Sequence, residues 1–269
     1  MRRWRATVGG LALAALVAGC GTGARPAAAP SDVVVGAQGQ VEHVASDGSR
    51  FGPHGDYSIY LPPGYGQDPQ RRYPVVYLLH GGSGSDTFFL DLGIQDTMDA
   101  GVASGAVGPM ILVLVDGGPM FDGGGDPAED FDQYFVSDLV PAVDRVWRTE
   151  PERAGRAVGG ISVGGRHALA IAAENPSLVV AVGAHSTTVA HLPRGAVGSL
   201  AVARIAVYLD VGTDDGLFTR DEALARSLQR EGADVRWHPA EGGHSPSYWS
   251  AHLLDYLSFY SEALHAGGG

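Results

Sequence analysis

Short, continuous apolar runs recur along this chain with helical patterns between them, and that alternation limits the fold more than any other feature. "PVVYLLH" (74–80), "PMILVLVD" (109–116) and "RIAVYLDVG" (204–212) are apolar throughout, as strands covered on both faces are. "DYSIYLP" (56–62) alternates, like a strand with one face in water, and "DVRWHPA" (234–240) is a shorter strand. "DQYFVSDLVPAVDRVWRT" sets Phe135, Leu139, Val143 and Val146 at helical spacing, with Pro141 as an expected kink. "RDEALARSLQREG" carries acids in its first turn and a glycine after its end, and "SYWSAHLLDYLSFYSEALH" reads as one amphipathic C-terminal helix. Strands alternating with helices predict an α/β domain, with a mostly parallel central sheet flanked by helices. There is no internal repeat and no sign of a second domain.

Within that frame, "RAVGGISVGGRHALAIAAENP" (156–176) runs from a short strand through Ser162 into a strong helix that stops before Pro176. The spacing Gly160-x-Ser162-x-Gly164 fits a nucleophile elbow, in which the serine sits on a sharp strand-to-helix turn. In a chain with 40 glycines the pattern alone arises about 0.4 times by accident, so its setting between strand and helix is what gives it weight. A serine hydroxyl becomes a nucleophile only when a base takes its proton, and the base needs an orienting acid. In α/β-hydrolases these follow in the order serine, acid, histidine. "YLDVGTDDGLF" ends a strand and supplies Asp210, Asp214 and Asp215, while "PAEGGHSPSYW" supplies His244 just before the final helix. Two backbone N–H groups must hold the oxyanion. Val163, directly after the serine, is one. The other belongs to the loop "YLLHGGSGSD", with Gly82 first and Ser83 second.

These pieces resemble the esterase-D / antigen 85 type esterase family of the α/β-hydrolase superfamily, which includes feruloyl esterases, S-formylglutathione hydrolases and enterochelin-type esterases. The resemblance runs from about Phe51 to the C-terminus, through "YSIYLPPGYGQDPQRRYPVVYLLHGGSGS", "PMILVLVDGG", "FVSDLVPAVDRVWRTEPERAGRAVGGISVGGRHAL", "GTDDGLF" and "EGGHSPSYW". It implies an α/β-hydrolase fold and a triad of Ser162, an aspartate of the "GTDD" loop and His244. The family pattern Gly-Thr-x-Asp favours Asp215 over Asp214. It also implies Gly82 and Val163 as oxyanion donors, Val163 standing where methionine is common. The short segment "HSTTVAHLPRGAVGSLAVAR" leaves no room for a large cap domain. The implied activity is carboxylic-ester hydrolysis through an acyl-enzyme, on a small-molecule ester and without a cofactor. An acyltransferase of the antigen 85 kind and a non-catalytic surface binding protein are the alternatives.

The N-terminus carries a different message. Arg2, Arg3 and Arg5 precede the apolar run "GGLALAALVAG", which ends at Cys20. This is a basic n-region followed by a run too short to span a bilayer. "LVAGC" resembles a bacterial lipobox, which would make residues 1–19 a lipoprotein signal peptide and Cys20 the lipid attachment. Residues 20–40 then read as a tether and 41–269 as the esterase domain, exported and held to the outer face of the cell membrane; the alternative is an ordinary cleaved signal peptide and a secreted protein. Cys20 is the only cysteine, so disulfides within the chain are excluded. Three of the 18 basic residues, all arginine, and none of the 30 acids precede Cys20. The remaining chain has 15 against 30, a net charge of −15, which disfavours nucleic acid as a partner. A tethered monomer is the simplest expectation.

Other residues read more plainly. His80 is expected to hold its loop by hydrogen bonds. Phe88, Phe89, Phe121 and Trp249 are candidates to line an acyl or aryl pocket. Asp116, Asp122, Asp126, Glu129, Asp130 and Asp132 read as a solvated loop rather than a calcium site. No histidine pair has zinc-motif spacing, so no metal is expected.

Overall fold

A computed structural model of the chain describes residues 38–45, 55–118, 131–189 and 192–266. The expectations for the leader, residues 20–37 of the tether with Cys20, and Phe121, Asp122, Asp126, Glu129 and Asp130 lie outside the described residues; the tether's last residue, Gln40, already belongs to the first strand. Among the described residues, eight strands form one sheet: β1 (Gln40–Val44), β2 (Tyr57–Leu61), β3 (Val75–Leu79), β4 (Ile111–Val115), β5 (Arg156–Ile161), β6 (Ala181–His185), β7 (Ala206–Gly212) and β8 (Val235–Ala240). Their order is β1-β2-β4-β3-β5-β6-β7-β8. The first two pairings, β1 with β2 and β2 with β4, are antiparallel, and those from β4 to β8 are parallel. The sheet is mixed but mostly parallel, with helices on both faces.

Side-chain alternation along each strand divides the core in two. Val75, Tyr77 and Leu79 of β3 join one apolar cluster, and Val76 and Leu78 join the other. The first cluster is closed by α3 (Phe131–Tyr134), α4 (Val140–Val146), α5 (Val163–Glu174), α6 (Ala196–Val202) and α7 (Phe218–Arg230). The second is closed by α1 (Phe88–Asp91), α2 (Ile94–Ser104), α8 (Pro246–Ala251) and α9 (Leu253–His265). Because both faces are covered, β3, β4 and β5 are buried at every residue, as the unbroken apolar sequences of β3 and β4 require; in β5 the buried Arg156 is paired with Asp144 at 2.6 Å.

Three local readings change. β2 alternates in sequence yet is buried throughout, because its polar Ser58 donates to Asp86 at 2.6 Å instead of facing water. The helix at 131–146 is not simply kinked. Pro141 has no N–H for the carbonyl four residues back and crowds that carbonyl, and the turn just before it, Phe135–Leu139, widens into a π-helix. Val146, read as part of the apolar stripe, is 67% exposed. The single C-terminal helix is two helices, broken at His252 (φ −108°, ψ 5°).

Topology places the cleft. From β3 the chain crosses to β4 on one side, then returns to β5 on the other. Loops leaving the carboxyl ends of β3 and β5 therefore part in opposite directions and leave a crevice between them.

Candidate active site

Ser162 stands in that crevice. β5 ends at Ile161, α5 starts at Val163, and the serine between them takes φ 57° and ψ −117°, a strained conformation for a residue with a Cβ. The strain is held from both sides. A Cβ on Gly160 would strike the backbone of Gly164, and one on Gly164 would strike the carbonyl oxygens of Leu79 and His80. Two glycines are thus required for strand, helix and the neighbouring β3 loop to meet. The Ser162 N–H donates to the His185 carbonyl at 2.8 Å, tying the turn to β6.

His244 lies across from it in the loop after β8. Its Nε2 is 3.1 Å from Ser162 Oγ and its Nδ1 is 2.8 Å from Asp215 Oδ2. With Nδ1–H donating to the carboxylate, Nε2 is left as the acceptor for the serine hydroxyl. The other Asp215 oxygen accepts the Leu217 N–H at 2.9 Å, so the carboxylate is fixed by two donors and is buried. Asp214 is exposed and its N–H binds the Gly242 carbonyl at 2.8 Å, which joins the acid loop to the histidine loop. The geometry therefore brings Asp215, not Asp214, to His244. Asp210 points elsewhere, accepting from His185 at 2.6 Å and Tyr256 at 2.7 Å.

The loop after β3 runs beside the serine, a Cβ on Gly81 falling 3.6 Å from Ser162 Cβ. Neither Gly82 N–H nor Val163 N–H donates to a partner among the described residues. His80 holds this loop: its Nδ1 is 2.5 Å from the Gly81 carbonyl and its Nε2 accepts the Gly117 N–H at 3.0 Å. Trp249 stands edge-on to His244, ring centroids 5.0 Å apart, with Phe88 beyond it at 6.0 Å. Phe89, named with them from the sequence, is a core residue. His167 is bonded to Asp132 at 2.6 Å, and His43 to Asp86 at 2.7 Å. Among the described residues, no group of three or more His, Cys, Asp or Glu is placed to hold a metal.

The family model described as "Putative esterase" matches residues 49–260. The chain belongs to this family. Among relatives of this family member, "Esterase Rv1288" of Mycobacterium tuberculosis is 34% identical over 146 residues, covering 51% of this chain and 30% of that protein. "Endo-1,4-beta-xylanase/feruloyl esterase" of Xylanibacter ruminicola is 30% identical over 151 residues, 52% of this chain and 20% of that protein. The alignments thus span less than a third of either relative's length. Among solved structures, a ferulic acid esterase superposes with a TM-score of 0.75 at 24% identity, covering 85% of this chain and 100% of that one. A ferulic acid esterase of Anaeromyces mucronatus, in complex with ferulic acid, gives 0.69 at 20% identity, covering 84% and 92%. These neighbours share the α/β-hydrolase fold.

One residue that sequence reasoning passed over is Asp221, in the first turn of α7. It is 1% exposed, and burial, with the Asp215 and Asp210 charges adding to it, pushes its carboxyl up to about 8. An acid in a first helical turn reads as an ordinary dipole partner. Nothing local marks it as buried.

Proposed function

We propose that this chain is a serine carboxylic-ester hydrolase working through an acyl-enzyme. The observation that carries the reading is the hydrogen-bonded line from Ser162 Oγ through His244 to Asp215, set at the sheet's switch point. Ser162 Oγ attacks the ester carbonyl while His244 Nε2 takes its proton, and Asp215 holds the imidazole in the tautomer that permits this. The N–H groups of Gly82 and Val163 bind the oxyanion. His244 returns the proton to the departing alcohol, and water then repeats the sequence on the acyl group. Trp249 beside His244, with Phe88 packed on Trp249, together with relatives named as feruloyl esterases, supports an ester with an aryl acyl group. The basic start, short apolar run and Cys20 support export with a lipid anchor.

The test is hydrolysis of p-nitrophenyl esters from C2 to C16, and of methyl ferulate, by the chain and its Ser162→Ala variant. Serine-dependent turnover is expected, with the variant lowered at least about 10³-fold. Turnover that survives the substitution overturns the reading. Cys20→Ala, expressed in a bacterial host, is expected to shift the protein from the membrane fraction to the soluble exported one. Unchanged membrane retention rules out the anchor.

A further inference from the structure

The nucleophile turn is supported from beneath by a second turn, and that turn has its own latch. After β6 the chain passes through Ser186, Thr187 and Thr188. Thr187 Oγ1 and the Thr188 N–H both donate to the Ser162 carbonyl, each at 3.3 Å. Ser186 holds φ 49°, a left-handed conformation uncommon for residues other than glycine, Asn and Asp. Such a turn keeps its shape only if its surroundings fix it. Two side chains do so. From α8, Trp249 Nε1 donates to Ser186 Oγ at 3.2 Å. From α7, Asp221 Oδ2 accepts the Thr187 N–H at 2.9 Å.

We propose that Asp221 is a positioning residue: its carboxyl latches the Ser186–Thr188 turn onto α7, and through that turn holds the backbone of Ser162 in its reactive place. The proposal rests on the ester-hydrolase reading above. It adds a residue that touches neither the substrate nor the hydrogen-bonded line.

Burial outweighs the Thr187 N–H bond, which by itself favours an ionised carboxyl, and the two neighbouring carboxylates add to burial. Asp221 Oδ1 is buried with no hydrogen-bond partner among the described residues, and an ion there would be poorly compensated. The charges acting on it are carboxylates: Asp215 on the β7–α7 loop and Asp210 on β7. Asp210 is shared with His185 of β6 and Tyr256 of α9, and Asp215 is bound to His244. No side chain between Ala196 and Val202 of α6 is ionisable. Arg166 and His167 of α5 are bonded to each other and His167 to Asp132. On β8, Trp237 joins the apolar cluster that α7 closes. Arg236 pairs with Glu262 of α9, and His238 stacks on Tyr208. Within α7, Glu222 is paired with Arg226 at the surface. Ionising Asp221 places a third negative charge beside two others in a buried space. Relief comes from letting water in, which parts the turn from α7 and loosens Ser162.

Asp221→Asn keeps an oxygen for the Thr187 N–H and has no proton to lose, whereas Asp221→Leu removes the acceptor. In ester hydrolysis at pH 7, the Asn variant is expected to hold kcat within about threefold. The Leu variant is expected to lose about 10-fold to 100-fold in kcat with little change in KM, because a small displacement of reacting groups costs that much. From pH 6 to 9.5, wild-type kcat should fall above about pH 8, and the Asn variant should lack that decline. A folded Leu variant with wild-type kcat, or an Asn variant with the wild-type alkaline decline, overturns the latch. If the Leu variant does not fold, the Asn profile decides. Amide exchange at Thr187 in the Ser162→Ala chain reads the latch without turnover. Its protection, corrected for intrinsic rates, should drop above about pH 8 and should not drop once Asn is also placed at 221. Equal pH dependence in both overturns the proposal even if the chain proves not to be an esterase.

Discussion

Asp221 carries a cost that the rest of the fold must offset. In the folded chain its carboxyl is raised to about 8, chiefly by burial. In the unfolded chain it titrates near the ordinary aspartate value of about 3.9. Between those two values the folded state keeps a proton that the unfolded state has lost. Stability from this residue is therefore greatest below about pH 4, falls as pH rises, and levels off above about pH 8. Asparagine has nothing to ionise. The melting temperature of Asp221→Asn, less that of the wild type, should be near zero at the acid end, grow between pH 5 and 8, and then hold steady. Thermal unfolding followed by circular dichroism across that range measures it, and a difference independent of pH contradicts the burial argument. The same residue marks a limit of reading from sequence. Ser162 and His244 were legible because their loops carry glycine spacing at strand ends, whereas Asp215 was separated from Asp210 and Asp214 only by the family's Gly-Thr-x-Asp pattern. Asp221 looks like any acid at the start of a surface helix, and its isolation is created by the turn after β6.

At the scale of elements, the elbow is the joint on which β5, α5 and the β3 loop converge. Its two glycines are there for backbone reasons, so the chemistry of their substitution is predictable. Gly164→Ala drives a Cβ into the carbonyl oxygens of Leu79 and His80, and backbone atoms on a central strand cannot step aside. The variant is expected to lose at least about 1–3 kcal/mol of stability and most of its activity, as read by denaturant melts and ester assays. Near-native values for both would mean that the strand and helix have slack. The elbow was readable because an apolar strand, a glycine pair and a strong helix follow one another without ambiguity. The break at His252 was not, since the helical pattern runs straight through it with neither Gly nor Pro. It arises from tertiary demands at each end. Ser245 accepts the Tyr248 N–H to start α8, Trp249 is drawn to Ser186, and α9 must lie along the sheet with Leu257 and Tyr260 inward.

At the scale of the whole molecule, the parallel part of the sheet was legible from its apolar runs, while the first strand was not. β1 has only intermediate and exposed residues, so no apolar pattern announces it. It still has a place in the fold: it pairs along all of β2, from Gln40 opposite Leu61 to Val44 opposite Tyr57. Gly39, just before it, donates to Asp99 at 2.8 Å and accepts from Gln95 at 3.1 Å. A chain starting at residue 38 keeps the strand and both anchors and serves as the reference. One starting at residue 46 loses little apolar burial but bares the backbone donors and acceptors of β2, a template for pairing with other chains. It also takes His43 from Asp86, which bonds Ser58 beneath. That shorter chain should melt lower and self-associate, seen by calorimetry and by light scattering as concentration rises. If it stays monomeric with an unchanged melting temperature, β1 is an ornament on the sheet and the esterase domain begins at β2.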